Sequence, residues 1–370
     1  MKVPYLDLRI TDEKLRSRLL KRLEIILRHG ILVSGPEQTE FEIKFAKEIG
    51  MKYALGVSSG SSALYLSLLA LGIGNGDEVI TTPYTWIITT NAIAAVGAIP
   101  IFVDVRDDFN IDPDAIDKAV TSKTKAILPM HVAGHMCDMK KISEIAKKNN
   151  LLIVEDASQA FCSALRGKRA GTFSEAAAFS LNPMKVLHAY GEAGVVVTNN
   201  KKVYEKLKQL RHAGTKRYEN KNNQINRCNY LALNHKIDTI QASFLIEELN
   251  RISHIKDKRD KIAKYYDSKL PEIGCVPQQI NNGEIHGRYF YIFTCKKRDS
   301  LSKHLLNKSI ENKIFYSPLT CDAPIYRNHI KPELPVARRL LKKSIAIPMH
   351  ENMSIEQAKY VVEEIKSFYK

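Results

Sequence analysis

A lysine and an aspartate occupy positions where they could together do chemistry that neither could do alone. Lys185 lies in F-S-L-N-P-M-K-V-L-H-A-Y-G-E-A-G, and Asp156 ends the apolar run L-L-I-V-E-D, 29 residues upstream. A primary amine on a turn can form a Schiff base with an aldehyde, and a carboxylate at a strand end can face a pyridinium nitrogen. Pyridoxal 5'-phosphate (PLP) requires both groups. The pair therefore predicts a PLP site with Lys185 and Asp156 as its catalytic residues.

A serine-rich turn predicts where a cofactor phosphate would bind. The segment V-S-S-G-S-S-A-L follows a predicted strand and begins a predicted helix. Gly60 lets the backbone approach an anion closely, while Ser59 and Ser61 add hydroxyls at the positive end of the helix dipole. An ordinary helix cap is the alternative, since serine-rich turns also cap helices. Ser180, at the end of another predicted strand, could give the phosphate a further hydroxyl or could be structural.

Two more side chains are candidates for contacts to a PLP ring. Trp86, the only tryptophan, could stack on a pyridine ring, and a large core side chain at a helix start is the alternative. Gln159 lies three residues after the catalytic aspartate, near enough to reach a ring substituent. His131 and His135 in H-V-A-G-H-M could suggest a metal site. No carboxylate pair accompanies them and Gly134 disfavours a regular helix, so we predict no metal.

Composition indicates a folded protein of about two domains. The chain has 370 residues, 44% of them hydrophobic, which is enough for a complete core. No apolar run reaches the roughly 18 residues of a membrane span, and the N-terminus lacks the apolar stretch of a signal peptide, so we expect a cytoplasmic protein. The six cysteines lack C-x-x-C spacing, which argues against a zinc site or a disulfide framework.

The net charge of +16 is concentrated in the second half of the chain. Residues 1–200 carry 23 Lys and Arg against 22 Asp and Glu, whereas residues 201–370 carry 33 against 18. The lysines there alternate with acidic and apolar residues, so a solvated lysine-rich surface is the simplest interpretation. Attraction of a phosphate-bearing small molecule is the alternative. Neither a nucleic acid nor a membrane is expected as a partner, because there is no dense basic run with interleaved aromatics.

The first 250 residues alternate predicted strands with predicted helices. Short apolar runs suited to buried parallel strands occur at Tyr53–Val57, Glu78–Thr82, Ile99–Val105, Lys125–Met130, Leu151–Glu155, Ala176–Ser180 and Gly194–Thr198. This alternation predicts an α/β fold with a mostly parallel central sheet flanked by helices. Ligands of such sheets collect at the carboxyl ends of strands, where the catalytic pair lies. We predict a large PLP-binding domain over residues 1–248 and a smaller C-terminal α+β domain over residues 249–370.

The order of motifs resembles that of one family, the DegT/DnrJ/EryC1/StrS family of PLP-dependent sugar aminotransferases of fold type I. The resemblance covers essentially the whole chain. Its landmarks include V-S-S-G-S-S-A-L, G-I-G-N-G-D-E-V-I-T-T-P, V-G-A-I-P-I-F-V-D-V, H-V-A-G-H, V-E-D-A-S-Q-A, F-S-x4-K, L-R-H-A-G and L-N-H-K-I-D-T-I-Q-A-S. It implies a fold type I aminotransferase that uses PLP.

The resemblance also implies a role for each candidate around the cofactor ring. By similarity, Lys185 is the Schiff-base lysine and Asp156 is the partner of the pyridine nitrogen. Gln159 contacts the ring-hydroxyl side, and Trp86 is the stacking aromatic. Glutamate is the implied amino donor, leaving as 2-oxoglutarate in a ping-pong cycle.

The phosphate contacts are implied in the same way. Gly60, Ser61 and Ser180 occupy positions that hold the phosphate in family members. Asn234 matches a residue that reaches the phosphate from the neighbouring subunit. The resemblance therefore implies a homodimer with shared active sites.

The keto acceptor stays open between alternatives. We predict a keto sugar, nucleotide-linked, used for a surface glycan such as a capsule polysaccharide or for a modified sugar. The same transamination on a small phosphorylated ketone, such as dihydroxyacetone phosphate, or on a keto-cyclitol is the alternative. A non-catalytic relative of the fold is a third. One family branch has histidine in place of the lysine and works as a dehydratase, so Lys185 favours transamination.

Two departures from the family pattern bear on the acceptor. The chain has G-E-A-G at residues 191–194 where the family usually has G-E-G-G, and Lys236 stands where an arginine is usual. Five residues are unassigned candidates for the acceptor pocket: Lys216, Arg217, Tyr218, His286 and Tyr316.

Overall fold

One seven-stranded sheet with helices on both faces forms the centre of the protein. The computed structural model describes residues 1–220, 223–326 and 333–370, and the side chains of residues 217–226 lie outside that description. The helices of the described chain are α1 (Glu13–His29), α2 (Pro36–Ile49), α3 (Gly60–Ala70), α4 (Ile87–Ala95), α5 (Pro113–Ala119), α6 (Met139–Lys148), α7 (Lys201–Arg211), α8 (Thr239–Asn250), α9 (Ile252–Lys269), α10 (Arg298–Asn307), α11 (Pro335–Lys343) and α12 (Ile355–Tyr369). Among these helices, none combines the length and the apolar character needed to cross a membrane.

The strands include all seven that the sequence predicts for the central sheet. In chain order they are β1 (Tyr53–Val57), β2 (Glu78–Thr81), β3 (Ile99–Phe102), β4 (Thr124–Leu128), β5 (Leu152–Asp156), β6 (Ala164–Leu165), β7 (Lys168–Arg169), β8 (Ala176–Ser180), β9 (Gly194–Thr198), β10 (Thr215–Asn220), β11 (Asn223–Cys228), β12 (Val276–Pro277), β13 (Glu284–Ile285), β14 (Tyr291–Thr294) and β15 (Ser344–Ile347). The central sheet has the order β1-β9-β8-β5-β4-β2-β3. Only β9 is antiparallel to its neighbours in this sheet, so the prediction of a mostly parallel sheet is confirmed.

Both faces of the central sheet are buried because helices cover both. In β8, Ala176 and Ala178 pack in a hydrophobic cluster with α3, α4 and α7, whereas Ala177 and Phe179 pack in the cluster on the opposite face. Successive side chains of a strand point to opposite faces. The strands are therefore apolar at nearly every position, as expected for a sheet buried on both sides.

The predicted strand Ile99–Val105 ends earlier, at Phe102. Beyond that point, the Asp104 carboxylate accepts hydrogen bonds from the backbone N–H groups of Val336 and Ala337, each at 2.9 Å. These groups belong to the first turn of α11, whose free N–H groups need acceptors. Asp104 therefore caps α11, a helix whose Val336 lies 232 residues further along the chain, instead of continuing β3.

Six strands of the central sheet end at the same edge. Because all strands but β9 point the same way, the segments that follow them are brought together. The residues placed there are Gly60, Trp86, Met130, Asp156 and Ser180. This edge is where the site is built.

The C-terminal part of the chain has its own three-stranded sheet, β12-β14-β15. This sheet shares a third hydrophobic cluster with α9, α10 and α12. The N-terminus packs here as well, because Val3 belongs to that cluster and forms a parallel bridge with Ile310. The predicted domain boundary after residue 248 falls in the last turn of α8 and remains a prediction.

Candidate active site

A pocket of about 400 Å³ opens at the edge where the parallel strands end. Seven of the eight predicted cofactor-binding residues line it: Gly60, Ser61, Trp86, Asp156, Gln159, Ser180 and Lys185. Further lining residues come from segments distant in sequence: Thr89, Met130, Glu192, Tyr289, Lys313, Phe315 and Tyr316. Of the acceptor-pocket candidates whose side chains the structure describes, Tyr316 is the one in the pocket wall.

Asp156 is buried at the end of β5 and is held by two donors. Its Oδ2 accepts a hydrogen bond from the Thr89 hydroxyl at 2.8 Å, and its Oδ1 accepts one from the Ser158 backbone N–H at 3.1 Å. Thr89 lies on α4 and also bonds the Thr85 hydroxyl at 2.7 Å. A buried carboxylate requires such partners. Thr89 was not predicted, because nothing in I-I-T-T-N distinguishes this threonine from its neighbour.

Lys185 lies on the turn that follows β8. Its backbone N–H donates to the Asn182 carbonyl at 2.9 Å, and the Asn182 side-chain amide donates to Glu192 at 2.6 Å. The Lys185 Nζ lies 4.2 Å from the centre of the Tyr289 ring, within the range of a cation–π contact. Tyr289 belongs to the C-terminal part of the chain, so that part completes the surroundings of the amine.

The turn at Gly60 leaves no room for a side chain. A Cβ built at Gly60 would lie 2.5 Å from the Ser180 Cβ, far inside van der Waals contact. Ser59 caps α3, since its hydroxyl accepts the Ser62 backbone N–H at 3.1 Å. Ser61 is exposed at this helix start. The cap and the anion site predicted here are therefore compatible, because the Ser59 hydroxyl serves the cap while Gly60 and Ser61 line the pocket at the start of the helix.

Trp86 presents an uncovered aromatic ring to the pocket. It immediately precedes α4 and is 63% exposed. The alternative of a core side chain is therefore wrong. An exposed indole in a pocket wall is suited to stacking on a planar ligand.

Gln159 is fixed on both sides of its amide. Its Oε1 accepts the Ala133 backbone N–H at 2.8 Å, and its Nε2 bonds the Tyr316 hydroxyl. Burial raises the pKa of Tyr316 well above its usual range, so this phenol keeps its proton. The Ala133 carbonyl in turn accepts the Tyr289 backbone N–H at 3.0 Å. Ala133 is therefore hydrogen-bonded both to Gln159 and to Tyr289, whose ring contacts the Lys185 amine.

Asn234 is the predicted position that lies apart from the pocket of this chain. It is exposed, and its Oδ1 accepts a hydrogen bond from the Lys236 Nζ at 2.6 Å. The resemblance assigns this residue to the active site of a neighbouring subunit, which a position outside its own pocket allows. Its role remains a prediction.

Two further acceptor-pocket candidates with described side chains, His286 and Lys216, do not line the pocket. His286 is buried, with its Nε2 3.2 Å from Gln278 Oε1 and its Nδ1 accepting the Arg288 N–H, so it serves the loop it belongs to. Lys216 lies exposed on β10. The side chains of Arg217 and Tyr218 lie outside the described residues.

The two histidines of the H-V-A-G-H turn are engaged with carboxylates. His131 Nε2 lies 3.0 Å from Glu155 and His135 Nδ1 lies 2.8 Å from Glu284. Across the ranges that the structure describes, no group of three or more potential ligands is arranged to hold a metal ion. The pair forms structural contacts.

The residues around the pocket fit PLP. Ser180 leaves no space for a side chain at Gly60, which is the first residue of α3. The amine of Lys185, the buried carboxylate of Asp156 and the exposed ring of Trp86 open on the same pocket. An aldehyde, a ring nitrogen, a ring face and a phosphate each find a complementary group.

Comparisons with known proteins agree with this chemistry. Residues 13–366 match the model of the DegT/DnrJ/EryC1/StrS aminotransferase family. A pleiotropic regulatory protein from Geobacillus stearothermophilus is 34% identical over 378 residues, covering 100% of this chain and 99% of the relative. The dTDP-3-amino-3,4,6-trideoxy-alpha-D-glucose transaminase of Streptomyces venezuelae is 33% identical over 375 residues, covering 99% of this chain and 96% of the relative.

A solved structure shows the same fold over the full length. The crystal structure of DesV from S. venezuelae in complex with a ketimine intermediate matches with a TM-score of 0.94 at 32% identity. The match covers 100% of this chain and 99% of that one. The predicted fold class is therefore confirmed.

Proposed function

Because the chain belongs to the DegT/DnrJ/EryC1/StrS aminotransferase family, we propose that it transfers an amino group to a nucleotide-linked keto sugar. The protein is a PLP-dependent aminotransferase. The observation that carries the proposal is that Lys185, Asp156 and Gly60 line the same pocket. The choice of acceptor is supported by relatives of nearly equal length that act on dTDP-linked sugars.

Each part of PLP has a proposed holder. The α3 start with Gly60 and Ser61, together with Ser180, would bind the phosphate, while Trp86 would cover one ring face. Gln159, held rigid by Ala133 and Tyr316, would meet the ring hydroxyl. When bound, PLP accepts the electron pair left on the substrate carbon that loses its proton.

Asp156 and Lys185 then divide the proton chemistry. The Asp156 carboxylate would keep a proton on the ring nitrogen, and its orientation is maintained by Thr89 and Ser158. The Lys185 Nζ would take the proton from the substrate carbon as general base and would then deliver a proton as general acid to the carbon on the other side of the transferred nitrogen. The Lys185 backbone N–H donates to the Asn182 carbonyl, so the backbone that carries the amine is fixed.

The proposal includes glutamate as amino donor and a homodimer with shared active sites. Exposed apolar side chains beside Asn234 support the dimer, because Leu231 is 95% and Leu233 is 68% exposed. Such side chains are favoured at subunit contacts. We further propose a cytoplasmic enzyme whose amino sugar enters a surface glycan, such as a capsule polysaccharide, or a modified sugar.

The test is a reconstituted transamination assay. The PLP-loaded enzyme is incubated with glutamate and a panel of nucleotide-linked keto sugars, triose phosphates and keto-cyclitols, and 2-oxoglutarate is measured. We expect product with a nucleotide-linked sugar and none with Lys185→Ala. Product with triose phosphates alone would replace the proposed acceptor, whereas no amino transfer from glutamate to any acceptor would contradict the proposal.

A further inference from the structure

Lys313 is a cation of the pocket that the proposed proton chemistry does not use. Among the described residues that line the pocket, Lys185 and Lys313 are the two with positive side chains. Lys185 is committed to proton transfer. A second ammonium group at the wall of a pocket therefore needs a separate explanation.

The backbone at Lys313 is anchored. Its N–H donates to the Ala346 carbonyl at 3.0 Å, and the Ala346 N–H donates to the Lys313 carbonyl at 2.8 Å. Ala346 is fully buried in β15. The Cα of Lys313 is therefore fixed relative to the C-terminal sheet, while its side chain is exposed at the pocket rim.

The ammonium group of Lys313 rests on an aromatic ring. Its Nζ lies 5.1 Å from the centre of the Tyr5 ring, and that ring packs against Phe315 of the pocket wall at 6.2 Å. Tyr5 is itself fixed, because its backbone N–H donates to Glu311 at 2.9 Å. A cation over a ring face is positioned without being neutralised.

The carboxylates of the pocket already have partners. Asp156 accepts from Thr89 and Ser158, and Glu192 accepts from Asn182. Within the part of the chain that the structure describes, no ion pair joins a carboxylate to the Lys313 ammonium. The positive charge of Lys313 is therefore available to a ligand in the pocket.

We propose that Lys313 binds an anionic oxygen group of the substrate. This inference rests on the proposed function, in which the donor carries carboxylates and the acceptor carries a diphosphate. Both groups form charge-assisted hydrogen bonds with an ammonium group. Because the start of α3 is assigned to the cofactor phosphate and Lys185 to proton transfer, Lys313 is the remaining cation among the described lining residues that could bind the substrate.

Binding is measured through the only tryptophan. Trp86 lines the pocket, so its fluorescence reports ligands there. The PLP-loaded protein is titrated with glutarate, which carries the carboxylates of the donor, and with dTDP, which carries a diphosphate. The same titrations are made on Lys313→Gln, on Lys313→Arg, and on Lys359→Gln, an exposed charge-matched control on α12.

We expect Lys313→Gln to raise Kd about 10-fold for one of the two probes, because a hydrogen bond to a charged group is lost. Lys313→Arg should recover most of the affinity, and Lys359→Gln should match wild type. Weaker glutarate binding identifies the donor carboxylate, and weaker dTDP binding identifies the diphosphate. Unchanged Kd for both probes in Lys313→Gln overturns the proposal.

Kinetics separate this inference from the proposed function. In the half-reaction that Lys313 serves, Lys313→Gln should raise KM about 10-fold and leave kcat within about twofold, as expected for lost uniform binding. If the KM of Lys313→Gln equals that of the wild type in both half-reactions, the inference is overturned while the proposed transamination stands. If the wild type is inactive with every substrate, the proposed function fails, and the fluorescence titrations still decide whether Lys313 binds anions.

Discussion

Asp156 is oriented by neutral donors, and this makes its neighbours on α4 part of the active site. Thr89 reaches the carboxylate from the helix that begins beside Trp86, so in the proposed cofactor site one helix would serve both the nitrogen side and the face of the ring. The Thr85 hydroxyl also bonds the Thr89 hydroxyl and so helps to orient it toward Asp156. We therefore regard Thr89 as a positioning residue for Asp156.

Replacing Thr89 with valine should slow turnover without unfolding the protein. Thr89→Val keeps the shape and removes one donor to a buried carboxylate, and a hydrogen bond to a charged group is worth about 1.5–3 kcal/mol. We expect kcat to fall about 10- to 100-fold in steady-state assays with glutamate. Thr89→Ser retains the hydroxyl and serves as control. A kcat equal to wild type in Thr89→Val would show that Ser158 alone holds Asp156.

Replacing Gly60 with alanine should weaken cofactor binding. The new Cβ would lie 2.5 Å from the Ser180 Cβ. Alanine favours a helix over glycine by about 1 kcal/mol, so any loss must come from the contact. We expect the Kd for PLP to rise at least about 10-fold in absorbance titrations.

The control for that experiment is Gly74→Ala. A Cβ at Gly74 meets its nearest neighbour, the Val96 carbonyl oxygen, at 3.6 Å, which is an ordinary contact. This variant should bind PLP as the wild type does. Equal loss in both variants would mean that the crowding at Gly60 is not the cause.

At the scale of elements, a buried ion pair joins two helices to the first strand. Arg211 at the end of α7 donates to Glu42 of α2 at 2.5 Å and to the Gly56 carbonyl at 3.0 Å. Glu42 also accepts the Gly56 N–H at 2.8 Å. Both charged side chains are largely buried. The pair holds β1 in place just before the Ser59–Gly60 turn.

Removing one partner should therefore destabilise the fold. Arg211→Leu leaves Glu42 buried without its cation, which typically costs about 3–5 kcal/mol of unfolding free energy. Urea denaturation should show a correspondingly lower midpoint. Arg16→Leu removes a pair with Glu13 that is largely exposed, and such a pair contributes at most about 1 kcal/mol. Similar midpoints for the two variants would refute this assignment of stability to the buried pair.

At the scale of the whole molecule, one histidine connects the large part to the C-terminal part. His135 lies between Asp108, with Nε2 at 3.4 Å, and Glu284 of β13, with Nδ1 at 2.8 Å. The His286 ring stacks on it at 6.1 Å. Burial alone would lower the pKa of His135, but the hydrogen bonds that the ring donates to the Asp108 and Glu284 carboxylates raise it to about 9.

This arrangement predicts a loss of stability in mild base. A folded-state pKa of about 9 exceeds the unfolded value of about 6.5, so the folded state binds the extra proton in this window. The contribution is complete below pH about 6.5 and is lost as pH rises through 9. We expect the stability difference between wild type and His135→Gln to shrink from pH 7 to 9.5 in urea denaturation. A constant difference would contradict the protonated state.

The strands could be predicted because their signal is local. The apolar runs at Ala176–Ser180 and Gly194–Thr198 were found with their observed bounds, since strands buried on both faces need apolar residues throughout. The orientation of β9 could not be predicted in this way. A short apolar run has the same composition whether its neighbours are parallel or antiparallel.

The cofactor could also be predicted from the order of residues, whereas transamination was implied by the resemblance to the family. An amine after one strand and an acid at the end of another specify PLP chemistry, and the rule that parallel strands end at one edge places both in one site. Trp86, Gln159 and Gly60 were found because their motifs are contiguous. Identifying these residues required no knowledge of contacts between segments that are far apart in sequence.

Only the folded chain brings in Thr89, Tyr289 and Lys313. Thr89 is 67 residues from the carboxylate it holds, and the bond between Gln159 and Tyr316 spans 157 residues. No local pattern marks Thr89, Tyr289 or Lys313, because each is an ordinary residue in its own segment. They acquire a role when helix packing and the C-terminal sheet close the pocket, and contacts of that length are a property of the fold.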